Sequence, residues 1–116
     1  MATKTQKDTI SRQFESIIKE LKKNITPIPE PQQFNHCVDI VSNWRGNYFY
    51  IKQKYQSPEN RYFEVGLARL TFHGTNSFSL AYFRHTGKWF PLWMYENITL
   101  EEAQKAILGG HMFQVF

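Results

Sequence analysis

The sequence predicts a single α+β domain in which an antiparallel sheet lies between two helices in the chain. Three patterns predict it: a helical apolar stripe near the N-terminus, a central stretch of period-two strands separated by turn residues, and a helix-capping signature close to the C-terminus. A chain of 116 residues can bury one core and not two. The expected division of residues 1–116 is a helix over 1–24, a proline-rich strap over 25–33, a sheet over 34–95, a helix over 99–108 and a short apolar tail.

From Asp8 to Lys23, Ile10, Phe14, Ile17, Ile18 and Leu21 recur at helical spacing, while Arg12, Glu15, Lys19, Glu20 and Lys22 occupy the other face. Thr5 or Asp8 is the expected N-cap, and Asn24 followed by Pro27 ends the helix. Pro27, Pro29 and Pro31 then hold the backbone extended and stiff. Such a segment also suits an SH3-type groove, but as a connector inside a domain it reads more simply as a rigid strap.

Between Phe34 and Trp44, the apolar Val38, Ile40 and Trp44 share a parity opposite to Asp39 and Asn43, which gives a first strand with one buried face. Arg45-Gly46-Asn47 turns the chain into an aromatic second strand, Tyr48 to Tyr55, and Ser57-Pro58-Glu59-Asn60 forms a loop. In the third strand, Tyr62 to His73, the apolar parity changes between Val65 and Ala68, so a β-bulge is expected at Gly66. Gly74-Thr75-Asn76 leads to a fourth strand in which Phe78, Leu80 and Tyr82 alternate with Ser79, Ala81 and Phe83. Thr86-Gly87 leads to a fifth, making a meander of four to five strands.

That fifth segment, Lys88 to Tyr95, has no polar side: Trp89, Trp93 and Tyr95 fall on one parity, and Phe90, Leu92 and Met94 on the other. Pro91 cannot donate to a ladder, which assigns the segment to an edge or a bulge. Thr99-Leu100-Glu101-Glu102 is a capping box, and Gly109-Gly110 ends the helix that it starts. The apolar tail His111 to Phe116 is expected to dock on the core or pair as a short strand.

Several chemistries lack their residues. The single Cys37 permits no intrachain disulfide, and no apolar run is long enough to cross a bilayer, so the expected setting is cytoplasmic, away from any membrane. Without an export signal, the sequons at Asn24 and Asn97 read as chance matches. His36, His73, His85 and His111 are scattered, and His36 and Cys37 point opposite ways along a strand, so no metal or other cofactor is expected. There is no nucleophile elbow or phosphate loop, and Asp39, Glu64 and Glu96 stand singly. A binding or structural role is therefore favoured over catalysis.

Two surfaces are candidates for that role. An edge strand that is apolar on both faces needs cover, which points to a homodimer or another protein partner meeting Trp89, Phe90, Leu92, Trp93 and Met94. The net charge of +4 is concentrated on the strands, where Tyr50, Lys52, Arg69 and Arg84 form a secondary candidate for an anionic partner. Aromatics beside cations are the parts of a nucleic-acid surface, although the strand order of an RNA-recognition domain is missing. A third reading is a small-ligand binder or enzyme with a pocket between sheet and helix.

The stretch from Glu64 to Phe116 resembles a family of short bacterial proteins catalogued only as a domain of unknown function. The matching residues are Phe78-Ser79-Leu80-Ala81-Tyr82, the basic turn from Arg84 to Lys88, Trp89, and Phe113 near the end. Phe78 stands where that family's pattern has Trp, Ala81-Tyr82 where it has Tyr-Trp, and Leu92 where it has Tyr. The resemblance implies an order of helix, meander and helix, and it supplies no catalytic residue.

Overall fold

Strands β1 (His36–Arg45), β2 (Tyr48–Gln56), β3 (Tyr62–Gly74), β4 (Ser77–Phe83) and β5 (Trp89–Pro91) lie side by side in chain order, each antiparallel to the next. Helix α1 (Lys4–Lys22) precedes them, and one 3-10 turn (Trp93–Tyr95) and helix α2 (Leu100–Gly109) follow. The computed structural model describes residues 2–84, 87–109 and 113. The expected α+β order of helix, meander and helix is the order observed.

Both helices contribute to one core. Ile10, Phe14, Ile17 and Leu21 of α1 and Ala103, Ala106 and Ile107 of α2 are buried in the same cluster as Phe49, Leu70 and Leu80 of the sheet. The Phe14 ring lies 5.4 Å from that of Phe49, and Trp44 donates through Nε1 to the Ser11 hydroxyl at 2.9 Å, fixing α1 across β1 and β2. Gln104 of α2 donates to the Gln13 carbonyl of α1 at 2.9 Å. The domain is thus two layers, helices on one face of the sheet, and among the described residues its other face carries no helix.

The N-cap of α1 is Thr3, not Thr5 or Asp8. Its hydroxyl accepts from the Gln6 amide at 3.1 Å, and the Gln6 side chain accepts from the Thr3 amide at 2.9 Å. That reciprocal pair satisfies two donors at once, which neither Thr5 nor Asp8 does here.

The corresponding box at α2 is as expected. Thr99 Oγ1 accepts from the Glu102 amide and Glu102 Oε1 accepts from the Thr99 amide, each at 3.1 Å, while Asn76 Oδ1 accepts from Leu100 at 2.9 Å. These bonds to Thr99 hold the Glu102 carboxyl below the usual carboxylate range. Thr99→Ala is expected to cost about 1 kcal/mol in urea denaturation. Glu102 adds a pH dependence. Its folded value is depressed, so its contribution is present above the unfolded pKa and fades as pH falls through the folded one. The difference between wild type and Glu102→Ala should therefore shrink on acidification.

Three register shifts set the phase of the strands, the last of them between Phe72 and Gly74 of β3, opposite Phe78 and Ser77. In β1 the register shifts between Cys37, opposite Tyr55, and Asp39, opposite Lys54, leaving Val38 as the extra residue. Cys37 and Ile40 are consequently both buried while Val38 is half-exposed, which corrects the expected alternation at the start of that strand. In β3 the extra residue is Leu67, since Ile51 pairs with Ala68 and Lys52 with Gly66. The bulge is the expected one, displaced by one position from Gly66.

The fifth strand is shorter than expected: pairing stops at Pro91, the Leu92 amide donates to the Leu80 carbonyl, and the chain then coils into the 3-10 turn. Pro91 offers no N–H, and Leu92 turns into the core instead of continuing outward. The Pro-rich strap forms neither helix nor strand, and Gln32 Nε2 anchors it to the carbonyls of Phe34 and Gln56. Phe113 is buried in the core, in keeping with a docked tail. The expected turn residue Thr86, the helix stop Gly110 and the rest of the tail lie outside the described residues.

Candidate binding surfaces of the sheet

Strand alternation carries one set of side chains to the helix-free face. From the registers, these include Asn43 and Arg45 of β1, Tyr48, Tyr50 and Lys52 of β2, Glu64, Gly66 and Arg69 of β3, Phe83 of β4 and Trp89 of β5. Trp89 organises this set. Its ring centroid lies 5.2 Å from Phe83 and 5.5 Å from Tyr50, so the indole reaches from the edge strand over β4 and β3 to β2.

Gly66 makes that reach feasible. A Cβ at this position would stand 2.6 Å from Trp89 Cζ2, 2.7 Å from Cη2 and 2.9 Å from Phe83 Cδ2, closer than carbon atoms approach. The indole therefore lies directly on the β3 backbone.

The cations are arranged around these rings. The Arg69 guanidinium sits 4.7 Å from the Tyr48 ring centroid and 5.5 Å from that of Trp89, and Lys52 Nζ sits 5.2 Å from Tyr50. Between Arg45, Tyr50, Lys52, Glu64 and Trp89, with Gly66 in its lining, is a cavity of about 290 Å³. Lys52 approaches Glu64 at 3.9 Å. The side chains of Arg45 and Arg69 have no hydrogen bond or ion pair among the described residues, and Arg69 Nε is buried without a partner.

Three of the expected anion-binding residues, Tyr50, Lys52 and Arg69, thus come together. Arg84 does not join them. It stacks 4.7 Å over Phe90, whose register partner Tyr82 has the parity of the buried Leu80, so Arg84 belongs to the opposite face. Its even position, one residue beyond the end of β4, already carried that signal. The sequence reading missed Arg45, which alternation places beside Asn43, and the part played by Gly66, which only a contact between distant strands reveals.

The aromatic edge is a second surface. Phe90, Trp93 and Met94 are 43, 78 and 46% exposed, whereas Leu92 is 3% exposed and held by its own chain. Of the expected interface residues, Phe90, Trp93 and Met94 therefore present apolar surface, Leu92 is buried, and Trp89 is committed to the helix-free face.

A third concavity, about 760 Å³, opens between the first turns of α1 and α2 and the turn after β3. Its lining mixes the amides and hydroxyls of Gln6, Thr9, Gln13, Asn76 and Gln104 with the apolar Ile10, Phe72, Phe78 and Leu100, and its titratable residue Glu101 is exposed and paired with Lys105 at 3.2 Å. Nothing in it is set up for proton transfer. Burial raises the pKa of the Cys37 thiol and of the Tyr55 phenol, which leaves both in their neutral, less reactive forms. Among the described residues no three of His, Cys, Asp and Glu converge, and no helix is long and apolar enough to cross a membrane.

A family model matches residues 2–109, from the residue before the α1 cap to the last residue of α2. The chain belongs to that family, Domain of unknown function (DUF3024). Comparison with curated proteins and with solved structures gives no match. The resemblance read from Glu64 onward is thus a membership that begins at residue 2 and takes in all five strands, both sheet surfaces and both helices.

Proposed function

We propose that this chain is a non-catalytic binding module that associates with a second copy of itself through the β5 edge and the 3-10 turn beyond it. The observation that carries this reading is Trp93, 78% exposed and flanked by the exposed Met94 next to an edge strand. A tryptophan buries roughly 150–250 Å² in an interface, more than most side chains supply, and such rings anchor interfaces from a central position.

Charge favours a second copy at this edge. Two molecules of net charge +4 repel each other over most of their surfaces, but the run from Trp89 to Tyr95 carries no charged side chain. A two-fold axis at β5 would bring these uncharged residues together, with Arg84 held against Phe90 beside them. β5 is three residues long and contains Pro91, so its ladder adds little and the rings dominate. The reading includes a cytoplasmic setting, supported by a fold that stands on packing with its Cys37 unpaired and buried.

Light scattering at micromolar concentration is expected to give the mass of a dimer for the full chain, and of a monomer for Trp93→Ser with an unchanged circular dichroism spectrum. A wild-type chain that remains monomeric throughout that range would refute the proposal.

A further inference from the structure

We infer that the helix-free face, centred on Arg69 and Trp89, binds single-stranded nucleic acid. Three observations converge on it, and none involves Trp93 or Met94, whose exposure carries the self-association reading.

The first is charge. Arg45, Lys52, Lys54 and Arg69 share this face, and its acid, Glu64, is already within reach of Lys52. Asp39, the register partner of Lys54, is engaged from the side by Lys22 of α1 at 3.2 Å. Arg45 and Arg69 are left without an acid among the described residues, so the face as a whole is complementary to a polyanion.

The second is the state of Arg69. Tyr48 and Trp89 hold its guanidinium in place, and its Nε is buried without an acceptor. The buried Nε is closed to a ligand as it stands, but a rigidly held guanidinium loses little entropy when a phosphate accepts from its terminal nitrogens. The arginine is pre-organised for such an acceptor.

The third is shape. The cavity of about 290 Å³ has the touching rings of Tyr50 and Trp89 in its lining as one aromatic wall, together with Arg45, Lys52, the Asn43 amide and the Lys52-paired Glu64. A cleft walled by rings suits a base removed from its stack, with its phosphates on the flanking cations. A duplex keeps its bases stacked and offers none to such a cleft, and an acidic peptide would meet the charges while leaving the rings unused. Five strands spaced about 4.8 Å apart give the strand room for further nucleotides beside the cleft.

The test is fluorescence anisotropy of the full chain with a fluorescein-labelled oligothymidylate at low salt, repeated across a salt series. Saturable binding that weakens linearly in log salt is expected. Arg69→Gln is expected to weaken it roughly ten- to a hundredfold and to reduce the magnitude of the salt slope by about 0.7. Arg45→Gln, at an exposed position with no structural bond among the described residues, should reduce the slope by a similar amount if Arg69→Gln proves unstable. Trp93→Ser should bind as wild type does, so loss of self-association and loss of nucleic-acid binding are read separately. No binding at low salt would overturn the inference. So would equal affinity for duplex, competition by polyglutamate as effective as that by unlabelled strand, or full competition by thymidine monophosphate at matched phosphate concentration.

Discussion

Phe14→Ala should lower the stability of the domain by about 3–5 kcal/mol, the usual cost of deleting a buried aromatic ring. Phe14 is 0% exposed, and its ring meets Phe49, which in turn meets Trp44 at 5.1 Å. Removing it empties the space between α1 and the sheet, where a helix cannot sink without tearing the Trp44–Ser11 bond. Urea denaturation is the measurement. The midpoint should fall steeply, and Phe14→Leu, which keeps most of the volume, should cost less than half as much. A change below about 1 kcal/mol for Phe14→Ala would mean that α1 is not clamped by this contact.

Gly66→Ala should be the most damaging single methyl that can be added to the helix-free face. The added carbon falls 2.6 Å from the Trp89 indole and 2.9 Å from Phe83, so at least one ring must move off the sheet. Overpacking of this kind costs about 1–3 kcal/mol. The displaced indole should also lose its contact with Tyr50 and release Arg69, shifting the tryptophan emission to longer wavelength. A double-mutant cycle isolates the cause. In a Trp89→Ala background the same substitution should cost markedly less, because the atoms it strikes are gone. Strict additivity would show that Gly66 is needed for some reason other than the passage of the indole.

How much of this was legible in the sequence depends on the range of the interaction. The α1 stripe, the period-two strands and the Thr99–Glu102 box are local patterns, and each element stands where its pattern put it. The phase change of β3 was also visible, because a bulge shifts the apolar parity on either side of it. The bulge at Val38 was not, since Cys37 and Val38 are both small enough to occupy either face.

The site was legible in part. Tyr50, Lys52 and Arg69 could be grouped because aromatics and cations alternate on β2 and β3, but Arg84 was grouped with them by charge when its parity, continued from β4, argued otherwise. Trp89 and Trp93 looked alike as members of one apolar run. Their separation, one laid across the sheet and the other turned to solvent, follows from Leu92 entering the core and breaking the strand between them. A one-dimensional period cannot anticipate that break. Nor can it reveal that a glycine on β3 serves a ring from β5, a relation that exists only once two intervening ladders have formed.

The bond from Gln104 to Gln13 spans 91 positions in the chain and joins the helix made last to the helix made first. During synthesis each hairpin can zip onto its predecessor as soon as it clears the ribosome, but the greasy stripe of α1 has only an unfinished layer to rest on until α2 emerges.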